Sequence, residues 1–75
     1  MQRPYTDSDL YDMFANQADP ADTAAMDVDV LAGQLAELIG NDDPDGYPVD
    51  TDGTINLYAV GEAIQRQARR LVFED

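Results

Sequence analysis

The sequence predicts a small all-α domain of three main helices, with a long acidic loop between the second and third. Three observations predict it. Apolar residues recur at helical spacing in three stretches. A residue able to cap a helix stands before each of them. Between the second and third stretches lie sixteen residues, 40–55, with two prolines, three glycines and five aspartates, which break regular helix. A chain of 75 residues holds one small domain, residues 1–75. Leu, Ile, Val and Phe total 16, about a fifth of the chain, so the core is thin.

The elements are taken in chain order. Residues 1–6 read as a short tail, because Pro4 disfavours helix at Arg3. Thr6 or Asp7 caps a first helix, and Asp9 falls in its opening turn, where the helix dipole favours an anion. Leu10, Met13 and Phe14 form its apolar face with Tyr11 beside them, and its end falls near Ala18. Asp19-Pro20 restarts the chain: Asp19 is a good N-cap, Pro20 suits the first helical position, and Asp22 stands at the third. A short helical turn through Ala24 and Ala25 is expected, breaking at Asp27 or merging with the second main helix.

The second main helix is placed at 28–39. Val28, Leu31, Leu35, Leu38 and Ile39 make its stripe, and Gly40 offers a left-handed C-terminal cap. The loop comes next, with room for a short β-bridge near Val49 or Thr54. The third main helix is placed at 57–73. Asn56 is its N-cap, and Ile55 with Val60 match a hydrophobic staple. Leu57, Val60, Ile64, Ala68 and Leu71 carry the stripe, and Val72 and Phe73 are expected to close it. Arg66, Arg69 and Arg70 stand in its C-terminal half, where cations complement the dipole.

Catalytic chemistry finds little support. Histidine and cysteine are absent, and Ser8, the only serine, reads as a helix-start residue. The aspartates are expected to be exposed, and acid–base work needs a desolvated carboxylate. The chain reads as non-enzymatic, with no cofactor and no essential metal. Without cysteine there is no disulfide framework and no thiolate metal site. No run approaches the ~20 apolar residues of a membrane span, and the first five residues lack a signal core, so a cytoplasmic protein is expected.

The loop admits one metal register. With Gly46 at position 6 of an EF-hand loop, the ligands would be Asn41, Asp43, Asp45, the Tyr47 carbonyl and Asp52. Pro48 then occupies position 8, Asp52 replaces the closing glutamate, and no helix exits in phase. The same residue types are ordinary turn formers, so a solvated loop is the expectation and a weak Ca²⁺-binding module the alternative. Length, acidity and helix content are similar to those of acyl carrier proteins. Their attachment serine sits in an Asp-Ser-Leu motif at the start of the second helix. Here Asp7-Ser8-Asp9-Leu10 breaks the triplet at the N-terminus, and Asp27-Val28-Asp29 opens the second main helix without serine, so that reading fails.

Charge is the sharp feature. Sixteen acids against four arginines give a formal net charge of −12. Residues 1–65 hold 14 of the acids and one arginine, whereas residues 66–75 carry three arginines and two acids. Direct binding to nucleic acid or to an anionic membrane needs the opposite sign. Such a field destabilises its own compact state and attracts a cationic partner. Carboxylates on successive helical turns lie ~5–6 Å apart, comparable to phosphates along a strand. A row from Asp7, Asp9, Asp12, Asp19, Asp22, Asp27, Asp29, Glu37 and the loop aspartates could occupy the basic groove of a nucleic-acid-binding protein.

The expected function is therefore that of an acidic inhibitor, a DNA or RNA mimic. In size and charge the chain is similar to phage-encoded inhibitors of host defence such as anti-CRISPR and anti-restriction proteins. The expected contact residues are first Asp42, Asp43, Asp45, Asp50 and Asp52, which no regular structure demands, with Tyr47 as an apolar anchor. Asp9, Asp12, Asp27 and Asp29 come second, since Asp9 and Asp27 also suit caps. Tyr5 and Tyr11 are further anchor candidates, and Tyr58 reads as half-buried core. Salt adaptation, which thirteen Asp against three Glu and no Lys also fit, and an antitoxin-like partner subunit are the alternatives. Salt adaptation should spread acids over every face and not spare the last helix.

Overall fold

The structure, a computed structural model, describes residues 5–17, 19–40 and 42–73. Arg3 and Pro4, the helix end expected at Ala18, and Asn41 of the calcium register lie outside them. The fold is all-α, with four helices and no strand among the described residues. These are α1 (Asp7–Phe14), α2 (Pro20–Ala25), α3 (Val28–Ile39) and α4 (Leu57–Phe73). The short turn expected after Pro20 is thus a helix of its own, and a 3-10 turn, Ala15–Gln17, extends α1.

Local chemistry sets the helix starts. Thr6 and Asp9 form a reciprocal capping box: the Asp9 N–H donates to Thr6 Oγ1 and the Thr6 N–H to Asp9 Oδ2, both at 3.1 Å. Asp27 caps α3 by accepting from the Asp29 N–H at 2.9 Å, and Asn56 caps α4 by accepting from the Ala59 N–H at 3.0 Å. Pro20 occupies the first turn of α2, where its missing N–H costs no hydrogen bond. Gly40 closes α3 at φ 60° and ψ −126°, a positive-φ turn open to glycine but not the left-handed helical cap expected from the sequence.

Helix α4 is the hub, packing against α1, α2 and α3. At 17 residues it is about 26 Å long. Its inner face brings Val60, Ala63, Ile64 and Ala68 against Leu10, Tyr11 and Phe14 of α1 and Leu31, Leu35 and Ile39 of α3. Ile55 packs on the same cluster, as the staple with Val60 requires. Thr23 of α2 is fully buried, and its hydroxyl donates to the Asp19 carbonyl at 3.1 Å, so no buried polar group is orphaned there.

Two stripe ends depart from the periodicity. Helical spacing puts Leu71 in the α4 stripe and Phe73 at its close, but they are 49% and 76% exposed. Phe73 falls on the outer face of the helix, and the core ends at Ala68, so Leu71 is only half covered, bordering Ser8 of α1, and Phe73 stays largely open. Leu38 lies at the edge of the α3 stripe and is part exposed for the same reason.

The segment between α3 and α4 is built from two turns. The Tyr47 N–H donates to the Pro44 carbonyl at 3.0 Å, with Gly46 at φ 92°. Val49 and Ile55 then pair in an antiparallel bridge around a tight connection. The Gly53 N–H donates to the Asp50 carbonyl at 2.9 Å and the Asp50 N–H to the Thr54 carbonyl at 2.8 Å, with Gly53 at φ 87°. That is the pattern of a three-residue hairpin loop ending in a left-handed glycine.

Candidate functional site

All fourteen acids in the described residues lie at the surface; Asp7 and Asp9 are half-buried and the other twelve exposed. Asp7 is ion-paired across helices: Arg66 Nε donates to its Oδ2 at 2.7 Å and Nη2 to its Oδ1 at 3.4 Å. These hydrogen bonds, then the charge of Asp7, raise the Arg66 pKa above its ordinary value. The pair is open to solvent, so it contributes at most ~1 kcal/mol.

A second group of acids lies on α1 and at the start of α2. Burial raises the pKa of the Tyr11 hydroxyl, and the charges of Asp19 and then Asp12 raise it further. The two carboxylates therefore act on one phenol, although one stands on α1 and the other at the start of α2. Asp9 lies three residues before Asp12, and Asp22 three after Asp19, each about one helical turn away. These spacings set Asp9 near Asp12 on α1 and Asp19 near Asp22 at the start of α2. Asp9 is committed to the capping box, whereas Asp19 makes no side-chain cap hydrogen bond. Within the described residues the carboxylates of Asp12, Asp19 and Asp22 accept no hydrogen bond. Asp19 and Asp22 read in the sequence first as helix-start residues.

The loop aspartates are held differently. Asp42 Oδ2 accepts from the Tyr47 hydroxyl at 3.1 Å, and Asp42 Oδ1 from the Asp43 N–H at 3.0 Å. Asp43 accepts from the Asp45 N–H at 3.1 Å, and Asp50 from Asn56 Nδ2 at 2.9 Å. Asp52 Oδ1 takes both the Thr54 hydroxyl, at 2.7 Å, and the Thr54 N–H, at 3.0 Å. These bonds from Thr54 hold the Asp52 carboxyl below its ordinary pKa. The expectation that no structure demands the loop acids is corrected: four of the five build the turns. Asp45 is the exception, its carboxylate accepting nothing among the described residues. Asp27 caps α3, as its sequence position allows, and Asp29 is exposed beside it.

The tyrosine assignments also change. Tyr47 is not a contact anchor, because it is 7% exposed and belongs to the core. Its hydroxyl reaches Asp42 and Met13 Sδ, its ring lies 4.5 Å from that of Tyr5, and burial followed by the Asp42 bond pushes its pKa upward. Tyr11 is buried as well, whereas Tyr58 is half exposed on the outer face of α4 instead of half-buried in the core. Tyr5 remains accessible.

Among the described residues no three carboxylates stand close enough to hold a metal ion, so Asp43, Asp45 and Asp52 do not assemble the calcium register. Ser8 is exposed in the first turn of α1. A groove of about 400 Å³ runs along α4 past Glu62, Gln65, Arg66, Arg69, Arg70 and Phe73. No helix among the described residues is long and apolar enough to cross a membrane. Comparison with protein-family models, curated proteins and solved structures finds no match to this chain.

Proposed function

We propose that this protein is a non-enzymatic acidic inhibitor that occupies the basic groove of a nucleic-acid-binding protein in the cytoplasm, as a DNA or RNA mimic. A phage-encoded anti-CRISPR or anti-restriction protein would fit this role. What supports the reading is the exposure of Asp12, Asp19 and Asp22, which together with Asp9 we take as one acidic row. It crosses two helices, faces solvent, and has three carboxylates with no hydrogen-bond donor among the described residues. Maintaining like charges at such spacing costs stability unless a cation meets them. Asp29, Glu37 and Asp45 extend the exposed field, and the loop aspartates add charge while their turns hold it in place. The exposed side chains of α4 include three arginines, Arg66, Arg69 and Arg70, and one acid, Glu62; that balance supports mimicry over salt adaptation, under which acids would prevail there too.

The test is capture on the immobilised protein from a host lysate, followed by elution with duplex DNA or with RNA. Release of a basic protein by either nucleic acid, and not by an equal charge of free aspartate, is the expected result. A captured protein that stays bound under saturating nucleic acid contradicts the mimic.

A further inference from the structure

The outer face of α4 is unlike the rest of the surface. Tyr58, Glu62, Gln65, Arg66, Arg69 and Phe73 fall within a 100°-wide band opposite the core-facing residues of that helix. Tyr58 and Phe73 are 50% and 76% exposed. Gln65 and Arg66 flank the band and are tied to neighbouring elements, Gln65 to the Met26 carbonyl and Arg66 to Asp7. Between them Glu62 and Arg69 are exposed.

This band is complementary to itself when reversed. An antiparallel copy of α4 centred between positions 65 and 66 sets Tyr58 opposite Phe73, Glu62 opposite Arg69, and Gln65 opposite Arg66. Each pairing occurs twice, as a two-fold interface demands. The spacing of 58, 62, 65 and 69 is the 4-3-4 pattern by which paired helices meet. We infer that the occupant of this face is a second copy of the chain, docked through α4 as a two-fold antiparallel pair. The aromatic pairs close both ends, and the Glu62–Arg69 pairs fix register. The inference goes beyond the inhibitor reading, since this face carries none of the acidic row, and either can fail alone.

A single helix pair covers less than the ~800 Å² per partner of a standard interface, so the dimer is weak, with Kd on the order of 10–100 μM. Each copy carries −12, so their repulsion is long-ranged at low salt. Association should therefore strengthen as salt rises from ~10 to ~150 mM.

Sedimentation equilibrium over about 10–500 μM tests the pairing. The full chain is expected to dimerise at ~150 mM NaCl. Glu62→Arg sets arginine against arginine and Arg69→Glu sets glutamate against glutamate. Each should weaken self-association at least about tenfold, and an equimolar mixture of the two should recover a heterodimer. Glu62→Arg lowers the net negative charge, so its dissociation would not follow from overall repulsion. Both positions are exposed, and circular dichroism checks that each variant keeps its helices. A chain that stays monomeric throughout the range overturns the inference, and so does a mixture of the two variants that fails to pair.

Discussion

The loop between α3 and α4 and the α1–α2 junction are both dense in aspartate, yet the residues are held for opposite reasons. In the loop, Asp42, Asp43, Asp50 and Asp52 accept hydrogen bonds that form the turns, and Tyr47 pins the loop to the core. At the junction, Asp12, Asp19 and Asp22 hold nothing together and face water. Aspartate is both a turn-building residue and a charge, and only the second region uses it for charge alone. A count of acids therefore overstates how much of the loop is free to serve a partner.

The sharpest way to break this comparison is Tyr47→Ala. Removing a large core ring costs about 3–5 kcal/mol, against a total near ~4–11 kcal/mol for a chain of this size. The variant should be largely unfolded or melt far below the wild type. A loss under ~1 kcal/mol in urea unfolding would mean that the loop is not part of the fold. Salt comes next: screening the −12 field between ~10 and ~150 mM NaCl should raise Tm by several degrees. A flat Tm would argue that self-repulsion is weak.

The two regions separate under charge removal. Asp12→Asn, Asp19→Asn and Asp22→Asn combined should change stability by less than ~1 kcal/mol, because no hydrogen bond to these carboxylates is lost among the described residues and the lost dipole contact at Asp22 is offset by reduced repulsion. Asp43→Ala with Asp50→Ala, which removes two turn acceptors, should be the more destabilising variant in the same urea series. Equal losses would erase the distinction drawn between the regions.

The smallest effect is a pH dependence at Asp52. Its folded pKa is depressed, so its contribution to stability is complete above the ordinary aspartate value. It disappears as pH falls through the lowered value. The Thr54 amide resonance should report that late titration in acid, and Asp52→Asn should abolish it. A titration at or above the ordinary value would contradict the bond from Thr54.

Much of the fold is readable from local chemistry. Asp27 and Gly40 bracket α3, Asn56 opens α4, and Pro20 opens α2, because caps act through backbone groups a few residues away. What local pattern misses is which side of an element the rest of the chain covers. Tyr47 reads as a loop anchor because nothing in its neighbours says that the loop folds back over Met13 and Asp42. Phe73 reads as buried because it comes after an apolar stripe, yet on α4 it lies on the outer face, past the end of the core. The hairpin has a usable signal, Asp52-Gly53 between Val49 and Ile55. The acidic row has none, because Asp12 and Asp19 belong to different helices and only the tertiary fold relates them.

Competition between the exposed carboxylates and nucleic acid for one basic surface underlies the proposed function. Its most direct test is a titration of the captured partner with labelled DNA or RNA at increasing concentrations of this protein. The partner's apparent Kd for nucleic acid should rise in proportion to the wild-type protein, and the Asp12→Asn, Asp19→Asn, Asp22→Asn variant should need about tenfold more to do the same. A partner that binds nucleic acid with unchanged affinity while saturated with this protein would contradict it.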